Sequence, residues 1–247
     1  MVARLLTARV VDLTHALHPG IPFWPGRGYR PFSYEVINEL DRDAVAAGWF
    51  GTPEHMGTHL DAPSHFERSH ITADRVPATS LVCQGVLLDI TPRATLDASA
   101  LLDVEDVDGW RERFGEFPPR CVALVRSGWS ARWTDVRAFR NVAPDGRLVF
   151  PAVAESAARL LADHPAVVGL GVDTLSADNG LADGSPCHHR MHAAGKFILE
   201  NLANLDQLPP RDFVLFIGSL PIRGGTGAPA RVIALLPGPA PTTEATD

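Results

Sequence analysis

Short apolar runs predict strands over residues 9–13 (RVVDL), 81–90 (LVCQGVLLDI), 121–127 (CVALVRS), 167–174 (VVGLGVDT), 196–200 (KFILE), 213–220 and 230–236, and residues 32–38 (FSYEVIN) alternate as a strand should. Between them the period lengthens. Leu101, Leu102, Val104, Val107 and Trp110 fall at helical spacing and predict a helix over 99–114, capped by Asp97 or Ser99. Pro151 stands where a first helical position would be, and AVAESAARLLADH extends that helix to 163. A third helix, 186–194, is framed by Ser185 as cap, Pro186 in its first turn and Gly195 past its last. Alternating strand and helix patterns in this half indicate an α/β protein with a mixed, partly parallel sheet. Pro19, Pro22 and Pro25 with Gly20, Gly26 and Gly28 interrupt the first quarter, and the polar stretch 38–48 reads as a mobile cover over a site. The Pro- and Thr-rich tail, from about 238, is expected to fray.

With 247 residues and 45% hydrophobic residues, one domain spanning 1–247 is the simplest organisation. A net charge of -7 without a basic cluster excludes a nucleic-acid partner, and the single Lys196 makes no patch. Cys83, Cys121 and Cys187 are odd in number and far apart, which points to a reducing compartment. No run approaches a membrane span and the opening residues lack a secretory pattern, so a cytoplasmic location is expected.

The chemistry concentrates in WFGTPEHMGTHLDAPSHF, residues 49–66, which places His55, His59, Asp61 and His65 within eleven residues. Side chains alternate along an extended chain, so these residues share a face. Full extension would hold His55 and His59 roughly 13 Å apart at about 3.3 Å per residue. Gly57 lies where the necessary bend must occur, because glycine takes backbone angles other residues resist. Pro63 opposes a helix. Two imidazoles and a carboxylate suit a divalent ion, zinc or manganese, with a position left open for water or substrate. His65 is then a free base, and His15 and His18 are assigned no role. Ser127 and Ser130 do not sit in a nucleophile elbow. The loop PIRGGTGAPAR lacks the ending of a phosphate loop and opens no helix, which excludes nucleotide binding there.

A second half of the site is expected in GSPCHHRMHAAGKFILENL. His188, in the first turn of a helix, would be kept neutral by the helix dipole, as a ligand must be. His192 lies one turn on, and Cys187 is read as structural. Glu200 ends an apolar strand, an odd place for a carboxylate unless a positive charge meets it.

HMGTHLDAPSHF resembles the HxGTHxDxPxHF signature of the metal-dependent cyclase family, which includes bacterial kynurenine formamidases and isatin hydrolases. DLTHALHPGIPFWPG, LVRSGWS, GVDTLSAD and the closing glycine-rich segment resemble further blocks of it. The resemblance implies a swivelling β/β/α core, hydrolysis of amide bonds, and dimers or larger homo-oligomers. It also implies a histidine followed seven residues on by glycine and twelve on by a metal-binding glutamate, a spacing matched by His188, Gly195 and Glu200. The expected function is a metal-dependent amidohydrolase with His55, His59, Asp61, His188 and Glu200 at one or two ions and His65 as catalytic base. Phe23, Trp24, Trp49 and Phe50 would wall a planar aryl amide such as N-formylkynurenine or isatin. The alternatives are a cyclase or dehydratase using the same metal, and a metal-bearing binding protein without turnover.

Overall fold

The computed structural model describes residues 7–26 and 28–238, so the tail and Arg27 lie outside the described residues. Twelve strands occur among them: β1 Arg9–Asp12, β2 Ser33–Asn38, β3 Ala47–Gly51, β4 His59–Asp61, β5 Val82–Asp89, β6 Leu101–Leu102, β7 Cys121–Arg126, β8 Ala152–Val153, β9 Val167–Val172, β10 Phe197–Glu200, β11 Phe213–Ser219 and β12 Gly227–Leu236. The main sheet runs β12-β11-β5-β7-β9-β10-β4, and β4 pairs again with β12, which closes a seven-stranded ring. β1 adds to the far half of β12. β5, β7, β9 and β10 are parallel and the remaining pairings antiparallel, as a mixed, partly parallel α/β sheet requires.

Alternation along each strand builds two cores. Val86 and Leu88 of β5, Ala123 and Val125 of β7 and Ile198 of β10 face helices α1 (Val104–Phe114), α2 (Glu155–Asp163) and α3 (Pro186–Ala193), where Trp110, Leu161 and Met191 meet them. Leu87, Val122, Leu124, Phe197 and Leu199 face the other way, into the ring, against Leu60, Phe213, Leu215 and Val232. Strands buried on both faces read as continuous apolar runs, which is why β7 carries no polar alternation.

Two expected helices begin later than their spacing implies. Leu101–Leu102 and Ala152–Val153 leave the helical path and pair with each other as parallel strands β6 and β8. α1 therefore starts after Asp103, whose carboxylate accepts from Asp106 N at 3.1 Å while Asp106 accepts from Asp103 N at 3.0 Å, a reciprocal cap. Asp97 instead closes a turn onto Ser99. α2 starts at Glu155, leaving Pro151 outside it.

The stretch expected as a cover forms a short helix, Leu40–Asp43, at the tip of the β2–β3 hairpin, a separate two-stranded sheet. Tyr34, Val36, Ile37, Trp49 and Phe50 on this hairpin are each more than half exposed.

Candidate metal centre

β4 is the pivot of the site. His59 and Asp61 project from one side of it and Leu60, fully buried, from the other. Register brings the partners in: Glu200 of β10 lies opposite His59, and Gly227 of β12 opposite Asp61. This explains a carboxylate at the end of an apolar strand. Upstream, Gly57 takes φ +63° and turns the chain so that the His55 and His59 rings lie 5.4 Å apart. His188 enters from the first turn of α3.

Two groups of donor atoms result, each within 4.8 Å: His55, His59 and Asp61, and Asp61, His188 and Glu200. Asp61 belongs to both. His55 Nδ1 lies 2.5 Å from Asp61 Oδ1, and His59 Nε2 lies 3.1 Å from Asp61 Oδ1 and 3.5 Å from Glu200 Oε2. His188 Nε2 lies 3.3 Å from Asp61 Oδ2 and 3.1 Å from Glu200 Oε1.

The far nitrogens are already committed. His59 Nδ1 donates to Gly57 O at 2.8 Å, and His188 Nδ1 donates to Asp178 Oδ2 at 2.6 Å. Their Nε2 lone pairs therefore confront carboxylate oxygens across a buried space, and His59 Nε2 has no hydrogen-bond partner among the described residues. Only positive charge between them satisfies that arrangement, so the residues fit a divalent cation. Proton affinities point the same way. Burial opposes a charge on His59, yet Asp61 and Glu200 outweigh it and raise its pKa to about 9. Burial likewise opposes a charge on His188, but the surrounding carboxylates of Asp178, Asp61 and Glu200 raise its pKa well above the ordinary value. Asp61 is pulled well below the carboxylate range against burial, chiefly by His59 and His55.

His65, at the end of the single turn Pro63–His65, stacks on His55 with centroids 3.8 Å apart and belongs to neither group. Burial lowers its pKa to about 4, against the opposing pull of Asp61, so the ring is neutral at pH 7. His192 is fully buried beside Phe66, without a hydrogen-bond partner among the described residues for either ring nitrogen, and also belongs to neither group. Cys187 is buried in the apolar core, where loss of solvent raises its thiol pKa far above 9 and leaves no thiolate to ligate.

The site floors a cavity of about 360 Å³ with Phe23, Trp24, Tyr29 and Phe66 among its walls. Trp49 and Phe50, expected there, lie elsewhere. The hairpin carries them away, Phe50 stacking on Phe32 at 6.0 Å around a separate recess and Trp49 pointing half into solvent.

Asp178, the last residue of GVDTLSAD, was given no role from the chain alone. Its Oδ1 accepts from Cys187 N at 2.9 Å and its Oδ2 from His188 N at 3.0 Å, so it caps α3 and orients His188 at once. Ser185, the expected cap, adopts φ +55° and makes no capping bond. Asn201, next to Glu200, also lines the cavity; its Nδ2 donates to Gly57 O at 3.0 Å and its buried Oδ1 has no partner among the described residues.

A sequence model described as "Putative cyclase" matches residues 11–179. The isatin hydrolase of Roseibium aggregatum is 31% identical over 95% of this chain and 95% of its own length. A kynurenine formamidase of Geobacillus thermodenitrificans is 25% identical over 90% of this chain and 94% of its own. The structure of isatin hydrolase A from Ralstonia solanacearum superposes with a TM-score of 0.88 at 34% identity, covering 95% of this chain and 94% of that one.

Proposed function

The chain belongs to the putative cyclase family and is a metal-dependent hydrolase of non-peptide amide C–N bonds, and we propose that its substrate is a small planar aryl amide, either a cyclic amide of the isatin kind or an aryl formamide. The observation that carries this reading is the pair of donor groups sharing Asp61 at the floor of an aromatic-walled cavity. His55, His59 and Asp61 would hold one ion, and Asp61, His188 and Glu200 a second. Zinc and manganese both suit imidazole and carboxylate donors without thiolate. Such an ion, when bound, polarises an amide carbonyl and lowers the pKa of water.

The remaining work falls to side chains. Phe23 and Trp24 receive the aryl ring and exclude solvent. His65, neutral and free of ligand duty, takes a proton from the attacking water as the C–O bond forms, and its imidazolium is steadied by the Asp61 carboxylate nearby. As the C–N bond breaks, the same proton passes to the departing nitrogen.

Incubation with isatin and with an aryl formamide, read by mass, tests the reading. Hydrolysis adds one water to isatin and cleaves formate from the formamide. Loss of water from any substrate would establish a dehydratase, and metal uptake without turnover would establish a binding protein. Metal analysis of protein purified without added metal decides between zinc and manganese.

We also propose that the chain acts as one domain and as a homo-oligomer, a dimer at least, through the exposed apolar face of the β2–β3 hairpin, which light scattering would register as a mass above 26.6 kDa. Three free, buried cysteines support a cytoplasmic location, and no helix among the described residues is long and apolar enough to cross a membrane.

A further inference from the structure

The glycine-rich segment ahead of β12 reaches the metal centre from behind. Thr226 is fixed by its backbone, since its carbonyl accepts from Ala62 N at 2.9 Å, just past Asp61. The Glu54 carboxylate folds onto it: Glu54 Oε2 accepts from Thr226 N at 2.9 Å and from Thr226 Oγ1 at 2.7 Å. A hydroxyl has one proton, and this one is spent on Glu54. The contact of His55 Nε2 with the same Oγ1, at 3.0 Å, must therefore be a donation from Nε2–H. In the neutral ring that a ligand must present, a proton on Nε2 leaves the lone pair to Nδ1, and Nδ1 is the atom that lies 2.5 Å from Asp61 Oδ1. His55 is thus held in the opposite sense to His59 and His188, whose Nδ1 atoms donate and whose Nε2 atoms face the carboxylates.

The glycines make the approach possible. A Cβ on Gly227 would overlap His55 Cε1 and Nδ1, and one on Gly225 would lie 2.8 Å from Glu54 Oε1. The segment that resembles no nucleotide loop has a use here.

We infer that Glu54 and Thr226 are positioning residues that lock His55 with Nε2 protonated and Nδ1 presented to the metal position it shares with His59 and Asp61. The inference rests on the metal reading above. It requires no substrate contact from either residue.

Zinc titration of the metal-free protein against a competing chelator tests it, with ¹⁵N spectra of the histidine rings in the zinc-loaded protein. Wild type is expected to show a coordinated Nδ1 and a protonated Nε2 at His55. Thr226→Val, which cannot accept from Nε2–H, is expected to weaken zinc binding by about 10- to 100-fold at that position. Thr226→Ser, which keeps the hydroxyl, should restore it to near wild type, and Glu54→Gln should fall between. A coordinated Nε2 at His55 overturns the inference, as does wild-type zinc affinity in Thr226→Val. Equal losses in Thr226→Ser and Thr226→Val also overturn it, by reducing Thr226 to a packing role. Should Thr226→Val not fold, the ring spectra and Glu54→Gln decide alone. Wild type that takes up no zinc or manganese sinks the metal reading itself, whereas a normal wild type with an indifferent Glu54→Gln sinks only this assignment.

Discussion

Replacing Asp178 by Asn separates two functions of one carboxylate. Asp178 accepts three hydrogen bonds, from Cys187 N, His188 N and His188 Nδ1, the last at 2.6 Å. An amide offers one oxygen. If that oxygen faces His188, its NH₂ confronts the Cys187 N–H and one capping bond is lost. If it faces Cys187, His188 can satisfy the NH₂ only by accepting at Nδ1, which moves the ring proton to Nε2, among Asp61 and Glu200. Either way a charge-assisted bond worth about 1.5–3 kcal/mol is forfeited. That range matches the roughly 10- to 100-fold loss of metal affinity usual for an outer partner of a ligating histidine, since each tenfold is about 1.4 kcal/mol. The metal-free protein should lose about 1 kcal/mol from the weakened cap. Calorimetric titration with manganese and urea unfolding of the metal-free form measure the two effects separately. Weaker binding at the position shared by Asp61, His188 and Glu200, with a modest drop in urea midpoint, is expected. A lower midpoint with unchanged affinity at that position would reduce Asp178 to a helix cap and refute the argument.

Three further outcomes follow from the same geometry. His65→Ala should retain its metal and lose about 10²- to 10⁴-fold in turnover, whereas Asp61→Ala should lose both; equal metal loss in the two, by elemental analysis, contradicts the assigned division. Gly57→Ala forces a Cβ into a left-handed conformation and to 2.5 Å from Leu17 Cδ2, so the urea midpoint should report a loss of about 1–2 kcal/mol with weaker metal binding; an unchanged variant would show that the bend is not required. Lys196, the single lysine, donates to Leu161 O and His164 O, and burial lowers its pKa to about 8. Its neutral, nucleophilic form should therefore appear as pH rises through about 8, so that acylation of its peptide reaches half its maximal rate there; a midpoint above pH 10 would be the behaviour of a solvated lysine.

Much of the centre was readable in the chain because one short strand carries it. His59 and Asp61 flank an apolar Leu60, and a glycine sits at the bend, so periodicity alone puts the two polar side chains on one side. Strands β5, β7 and β9 were equally plain, as apolar runs buried on both faces. Helix starts were not. Leu101–Leu102 and Ala152–Val153 have acceptable helical spacing, and only their pairing with each other, 51 residues apart in the chain, draws them into strands. Asp178 was hidden for a related reason, as its partner is a helix terminus that reaches it only after folding. Glu54 and Thr226 are 172 residues apart and meet because β4 inserts beside β12. Trp49 and Phe50 misled because closeness in sequence to His55 was read as closeness to the cavity, while hairpin pairing points them outward.

β4 is three residues long yet hydrogen-bonded along both flanks, to β10 and to β12. Opening it means breaking the seam of a closed barrel, so its amides should be among the slowest to exchange with solvent deuterium. Phe23 and Trp24, by contrast, belong to a proline-broken loop outside any strand. The donor groups are thus anchored in the part of the molecule that yields last, while the aromatic wall of the cavity hangs on a loop that can change without opening that seam.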